Sequence, residues 1–120
     1  MNNKMNWIEI TTLEQLDRIS EISKSTPCVI YKHNTQCNTS EMMKYVLESD
    51  WKFKNNEVQP FILDIFQYAS IAIAVEDKFQ VHHQSPQVLL IKSEECTYDA
   101  DNMEISVEEL IECLEDDFWG

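Results

Sequence analysis

Positive charge is scarce in this sequence, which has nine lysine and arginine residues against 22 aspartate and glutamate residues and a formal net charge of -13. A surface this negative repels nucleic-acid phosphates and anionic lipid. The composition therefore predicts a protein that binds neither nucleic acid nor membranes.

Long hydrophobic runs are also missing. The clearest apolar run is residues 88–91, whereas a bilayer-spanning helix needs about 20 apolar residues. Residues 1–10 contain no hydrophobic signal core, so we expect a protein that is not exported and stays in the cytoplasm. A chain of 120 residues, 43% of them apolar, has the usual size of one globular domain, and residues 1–120 are predicted to form one.

The four cysteines lack the spacing of a disulfide framework or a zinc site. Cys28, Cys37, Cys96 and Cys113 are scattered and form no C-x-x-C pair, so reduced thiols are expected. Three of them lie in apolar or regular segments and are interpreted as small buried or half-buried hydrophobic residues. Cys37 instead follows a polar turn, and we interpret it as the single reactive thiol.

The hydrophobic pattern predicts eight elements in the order α-β-α-β-α-β-β-α. The predicted helices cover residues 11–24, 38–50 and 70–77, and a last helix follows a capping box of Ser106 with Glu109. The predicted strands cover residues 28–32, 58–65, 87–92 and 96–100. Pro60 implies either an edge position there or a strand that begins at Phe61. The fold class is thus α/β, with a four-stranded mixed sheet flanked by four helices.

Two helices carry further local signals. Thr11 or Thr12 is predicted to cap the first helix, with Glu14 or Gln15 in capping-box register. The inner face of the second helix is predicted to consist of Met42, Met43, Val46 and Leu47.

Cys37 falls where an open α/β sheet places its functional crevice, beyond the carboxyl end of the first predicted strand and at the first turn of the second helix. The helix dipole and the open N–H groups at that end favour the thiolate, which is the nucleophilic form of cysteine. Lys32 and His33 are expected to add positive charge nearby, although for Lys32 an orientation into solvent is equally open. Ser40, one helical turn further on, is placed to donate its hydroxyl to the sulfur, and it cannot resolve a mixed disulfide as a cysteine would.

A second polar segment, residues 82–87, directly precedes the most apolar strand. It contains Ser85-Pro86, and an X-Pro bond is the one peptide bond whose cis form costs only about 0.5 to 1 kcal/mol. A cis bond here would expose the backbone of Ser85 beside the cysteine as an edge for an extended peptide. A trans proline would simply begin the strand, and the spacing leaves both isomers open.

Residues 32–40 and 83–87 together resemble the monothiol bacilliredoxin family, the YtxJ-like, bacillithiol-system thioredoxin-like proteins. The family pattern K-H-S-T-x-C-x-x-S, followed by H-E-S-P-Q, is matched at Lys32, His33, Thr35, Cys37, Ser40, His83, Ser85, Pro86 and Gln87. The resemblance extends from about Trp7 to Leu114. The chain departs from the pattern at Asn34, Gln84 and Asp101-Asn102, and the added carboxylate of Asp101 would weaken attraction for an anionic thiol.

The resemblance implies a thioredoxin-like fold in which Ser85-Pro86 forms a cis-proline loop facing Cys37. It implies that Cys37 and Ser40 are catalytic and that substrate is bound by Lys32, His33, Thr35, His83, Gln84, Ser85 and Pro86. The implied activity removes bacillithiol, or a similar low-molecular-weight thiol, from proteins that carry it as a mixed disulfide. The implied partners are that thiol, as co-substrate, and thiol-modified client proteins, with no bound cofactor or metal.

Two other interpretations stay open. Cys37 with His33, His82 and His83 would suit a transition metal, or an iron–sulfur cluster shared across a dimer. Adjacent histidines of an extended segment point to opposite faces, however, which disfavours binding to one ion. The strong acidity and the departures from the family pattern also fit a non-catalytic thioredoxin-like interaction module.

Overall fold

The computed structural model describes residues 5–116, and it contains five strands and four α-helices in that range. The elements are β1 (Ile8–Glu9), α1 (Glu14–Ile22), β2 (Cys28–His33), α2 (Asn38–Asp50), β3 (Gln59–Asp64), α3 (Ala69–Phe79), β4 (Gln87–Lys92), β5 (Glu95–Asp101), a short 3-10 turn (Asn102–Glu104) and α4 (Val107–Asp116). Residues 1–4 and 117–120 of the predicted domain lie outside the described residues. None of the helices within residues 5–116 has the length and apolar character that a membrane crossing requires.

The strands form one mixed sheet in the order β1-β3-β2-β4-β5. Strands β1, β3 and β2 run parallel, and β4 and β5 are antiparallel to their neighbours. The predicted sheet of four strands is wrong by one, because β1 is absent from the prediction. The β-branched residues around it, including Ile8 and Ile10, favour a strand, but only two residues pair with β3, where Ile8 lies opposite Phe61.

Pro60 lies inside β3, opposite Val29 of β2. The N–H of Gln59 bonds the carbonyl of Pro27 on the β2 side, so the nitrogen of Pro60 faces the β1 side of the strand. Pairing with β1 begins one residue later, at Phe61. Pro60 therefore occupies a local edge, the first of the two predicted solutions.

Helices cover both faces of the sheet, and side chains of β2 alternate between the two cores. The core under α2 and α4 includes Val29, Tyr31, Met43, Leu47, Val88, Leu90 and Leu110. The core under α1 and α3 includes Leu16, Ile19, Cys28, Ile30, Val75, Leu89 and Ile91. Because the alternation continues, Lys32 and His33 point to opposite faces.

The helix boundaries follow local capping. Helix α1 begins at Glu14 rather than at a threonine, and Gln15 Oε1 accepts the N–H groups of Thr11 (2.7 Å) and Thr12 (3.0 Å). This is half of the predicted capping box. At α4 the serine half of the predicted box is confirmed, since Ser106 Oγ accepts the N–H of Glu109 at 3.2 Å, whereas Glu109 Oε1 accepts the hydroxyl of Tyr98.

Candidate active site

Cys37 is the N-cap residue of α2, half-buried and in an extended backbone conformation. The turn before it closes when its N–H donates to the carbonyl of Asn34 (3.0 Å), and Asn34 Oδ1 accepts the N–H of Gln36 (2.9 Å). The Cys37 side chain makes no capping bond, so the thiol lies at a helix end whose first N–H groups are open. The predicted first-turn position is thus correct to within one residue.

The second predicted segment meets this turn at one edge of the sheet. Lys32, near the end of β2, pairs with Gln87, which begins β4, so residues 34–37 and 82–86 leave the sheet side by side. The Ser85-Pro86 peptide bond is cis, the isomer that the family resemblance implies. Asn102 adopts a positive φ of 50° and donates its N–H to the carbonyl of Pro86 at 3.0 Å. The segment Asp101-Asn102 therefore holds Pro86 in place through this backbone hydrogen bond.

Contrary to the prediction, the Ser40 hydroxyl does not bond the sulfur of Cys37. Its side chain is fully buried, and its Oγ accepts the N–H of Asn34 (2.8 Å) and lies 2.7 Å from His33 Nδ1. The hydroxyl is drawn inward because the end of β2 and the turn both offer it polar partners. Ser40 thus fastens the cysteine-bearing turn to β2.

His33 is buried by the same network. Its ring is held between Ser40 Oγ and Glu41 Oε2, which lies 3.1 Å from Nε2, and it stacks on Tyr31 with centroids 5.7 Å apart. Tyr31 donates its hydroxyl to the carbonyl of Ser40 at 2.7 Å. Burial raises the pKa of Tyr31 to about 12, its bond to Ser40 opposes this, and the negative charges of Cys37 and Glu41 add to the rise. Tyr31 therefore stays a protonated donor directly behind the thiol turn.

Lys32 points away from the position predicted for it. It is fully buried on the α1 and α3 side, and its Nζ donates to Gln87 Oε1 at 2.8 Å. Burial lowers the pKa of the Lys32 amine from 10.5 to about 8, against the opposing negative charges of Glu76 and Asp99. Its place in the middle of the sheet excludes direct contact with a solvent-borne substrate.

The remaining predicted substrate residues divide by exposure. Thr35 and Gln84 are exposed, and Pro86 is buried. The His83 N–H donates to Glu76 Oε2 at 3.3 Å, and its Nδ1 is buried without a partner, as is Ser85 Oγ. Burial and the positive charge of Lys32 lower the pKa of His83, and the Glu76 carboxylate opposes them.

A cleft of about 240 Å³ opens beside the thiol turn, between that turn and the loop that follows β3. Its lining includes His33, Thr35, Lys44, Asp64, Gln67 and Tyr68. The Lys44 amine is already paired with Glu48 at 2.8 Å. The cleft therefore offers a small polar molecule space beside the turn that carries Cys37.

The other cysteines are placed as predicted for structural residues. Cys28 is buried at the opposite end of β2, and Cys96 and Cys113 are half-buried on β5 and α4. Burial raises the pKa of Cys28 to about 12 and that of Cys96 to about 11. All four cysteines are free thiols.

The geometry that a metal site needs is missing from the described range. Within residues 5–116, no group of three or more His, Cys, Asp or Glu side chains is arranged to hold a metal ion. His33 is committed to α2 on one face, whereas the exposed His82 pairs with Glu76 at 3.5 Å on the other. The convergence of these histidines on Cys37, which the metal interpretation requires, is therefore wrong.

Three residues of the site escaped the sequence analysis, and one helix position was misassigned. Tyr31 is predicted only as part of a strand, Gln87 only as part of a motif, and Glu41 is not among the predicted site residues. Met42 is 45% exposed rather than inward-facing, whereas Met43 and Leu47 are buried. The alternation of β2 could have placed Tyr31 and His33 on one face, but their bonds to α2 required the structure.

Solved structures of low sequence identity share this fold. A putative oxidoreductase with a thioredoxin fold is 20% identical, with a TM-score of 0.69 over 88% of this chain and 90% of that one. Thioredoxin O2 from Arabidopsis thaliana is 15% identical, with a TM-score of 0.68 over 97% of both chains. Thioredoxin from Trypanosoma brucei brucei is 14% identical, with a TM-score of 0.70 over 98% and 96%. No curated protein matches the chain.

Fold and site together define a thioredoxin-fold protein with one cysteine at the N-cap of α2 and a serine three residues later. A family model, described as monothiol bacilliredoxin BrxC, matches residues 8–110. The chain belongs to the monothiol bacilliredoxin family, and the family and fold support a thiol–disulfide redox role.

Proposed function

We propose that this protein removes bacillithiol, or a similar low-molecular-weight thiol, from client proteins that carry it as a mixed disulfide. The observation that carries the proposal is the isolation of Cys37 in its site. Ser40 stands where a resolving cysteine would be, and Cys28 lies at the far end of β2. A thiol placed in this way favours exchange that ends on the small molecule rather than in an internal disulfide.

The exchange balances with a second molecule of the small thiol as its reductant. The Cys37 thiolate attacks the small-thiol sulfur of the mixed disulfide, a new S–S bond forms to that sulfur, and the old S–S bond breaks. The client cysteine leaves as a thiolate and takes a proton from solvent. The thiolate of a second small thiol then attacks the adduct, which frees Cys37 and yields the small-molecule disulfide.

The surroundings of Cys37 supply the binding that such a step needs. The open end of α2 stabilises negative charge on sulfur. The cleft lined by His33 and Thr35 provides space for the body of the small thiol. The unpaired backbone of Ser85 provides an edge for an extended segment of the client.

Intact-mass analysis after mixing with a bacillithiolated client protein tests the proposal. We expect one small-thiol adduct on the wild type, release of the client thiol, and no adduct on Cys37→Ser. Cys96→Ser is the matched control and should keep the adduct, because it removes a half-buried cysteine away from the turn. An internal disulfide, an adduct that survives Cys37→Ser, or no exchange at all would overturn the proposal. The last result would favour a non-catalytic module.

A further inference from the structure

The loop of residues 82–86, called the proline loop below, presents an open stretch of backbone. Among residues 5–116, the N–H and the carbonyl oxygen of Ser85 take no hydrogen bond. Two of the loop's polar side-chain atoms, Ser85 Oγ and His83 Nδ1, are buried without a partner, and the exposed His82 ring pairs with Glu76 of α3 at 3.5 Å. Its shape therefore depends on contacts from outside the loop.

Gln87 holds the proline loop by hydrogen bonds from its side chain to the loop backbone. Its side chain is buried, its Nε2 donates to the carbonyl of His82 (3.1 Å), and its Oε1 accepts the N–H of Gln84 (3.4 Å). The other anchors lie to either side. Glu76 Oε2 accepts the His83 N–H and lies 3.5 Å from His82 Nδ1, and Asn102 donates its N–H to the Pro86 carbonyl. Within residues 5–116, Gln87 alone hydrogen-bonds both residues that flank His83.

The hydrogen bond from Lys32 sets the orientation of the Gln87 side-chain amide. It lies opposite Gln87 across β2 and β4, and its Nζ donates to Gln87 Oε1 at 2.8 Å. An ammonium group has only donors, so it requires the amide oxygen on its own side. The amide NH₂ must then face the carbonyl of His82.

Burying the amine of Lys32 costs the desolvation free energy of its charge. An apolar side chain of similar length would avoid the desolvation of the charge. The feature that an apolar side chain cannot provide is the directional hydrogen bond to Gln87. The burial of Lys32 is thus best explained by its effect on the proline loop.

We propose that Lys32 and Gln87 are positioning residues that hold the proline loop so that Ser85 pairs with an extended segment of the client. This proposal rests on the proposed function, because the segment is the one that carries the modified cysteine. The occupant is polypeptide backbone, which adds to the loop as a short strand. Neither side chain touches the reacting sulfur atoms.

Two substrates distinguish a role in binding the client backbone from a role in the thiol–disulfide exchange step. One is a peptide that carries the small thiol as a mixed disulfide in an extended segment, and the other is hydroxyethyl disulfide, which has no backbone. For Lys32→Met and Gln87→Met we expect the KM for the peptide to rise about tenfold, the effect of one or two lost hydrogen bonds, and kcat to hold. The rate with hydroxyethyl disulfide should stay within about twofold of the wild type.

Two further variants sharpen the test. Gln87→Glu keeps an acceptor for Lys32 and Gln84 but loses the donor to His82, so its KM should lie between those of the wild type and Gln87→Met. Lys92→Met is the matched control, because Lys92 is a buried lysine at the far end of β4 whose Nζ donates to the carbonyl of Cys113. It should leave both substrates unaffected.

Equal slowing with both substrates, or an unchanged KM for the peptide in Lys32→Met and Gln87→Met, would overturn the positioning role. If the wild type exchanges with neither substrate, the proposed function fails and the positioning role is judged by amide hydrogen exchange. Exchange at the Gln84 N–H, which donates to Gln87 Oε1, should then be about tenfold faster in Lys32→Met than in Lys92→Met. Equal exchange rates would overturn the role.

Discussion

Removal of the Ser40 hydroxyl should destabilise the fold while sparing the thiol. Ser40 Oγ is fully buried and serves both the N–H of Asn34 and Nδ1 of His33. In Ser40→Ala both groups lose their partner, and each buried polar group left unpaired costs about 1 to 3 kcal/mol. Because Asn34 is only half-buried, we expect a total loss of about 2 to 4 kcal/mol in the free energy of unfolding.

Urea unfolding at neutral pH measures this loss. An m-value equal to that of the wild type shows that the variant exposes the same surface on unfolding. Ser49→Ala is the control, since Ser49 lies on the exposed side of the same helix. The rate of Cys37 alkylation by iodoacetamide is the second measurement, and it should change by less than about twofold in Ser40→Ala because Ser40 Oγ does not bond the sulfur. A variant as stable as Ser49→Ala, or one that folds normally with slowed alkylation, would refute the reasoning.

Two further predictions concern Lys32 and Gln15. The folded protein releases the Lys32 proton near pH 8, below the value of 10.5 for the unfolded chain, so this residue adds stability as the pH rises through that window. Between about pH 7 and about pH 9.5 the wild type should gain about 2 kcal/mol relative to Lys32→Met in urea unfolding, and parallel pH curves would contradict the burial of the amine. Gln15→Ala should lower the free energy of unfolding by about 1 kcal/mol, because Gln15 binds the N–H groups before α1 and its Nε2 donates to the carbonyl of Glu9. The exposed neighbour Glu14→Ala serves as the control in the same denaturation series, and an equal loss in both variants would count against the cap.

The helices and the long strands were predictable because their signals are local. Strand β4 and helix α2 have the predicted bounds, since an unbroken apolar run and a helical repeat each need only neighbouring residues. Strand β1 was missed although residues 7–12 are rich in β-branched residues, and its length of two residues follows only from its pairing with β3. Met42 shows the same limit, since adjacent methionines lie about 100° apart around a helix and the packing of the whole helix decides which of them is buried.

The site divides in the same way. The position of Cys37 at a helix start follows from the order of the elements, and the motif of residues 83–87 identified the proline loop. The hydrogen bonds of Ser40 and Lys32 could not be deduced, because their partners come close only in the folded chain. For Ser40 those partners are Asn34 and His33, across the turn, and for Lys32 the partner is Gln87, on a strand more than 50 positions later in the chain.

The two outer strands of the sheet bear on how copies of this protein meet in a crowded solution. An uncovered strand is a template on which the strand of another molecule can add. Strand β1 offers only two residues for such addition, and β5 carries the exposed carboxylates of Glu95 and Asp99. Copies that approach along β5 bring like charges together, which opposes stacking into fibrils. The negative charge of the chain thus also opposes the association of copies at high concentration.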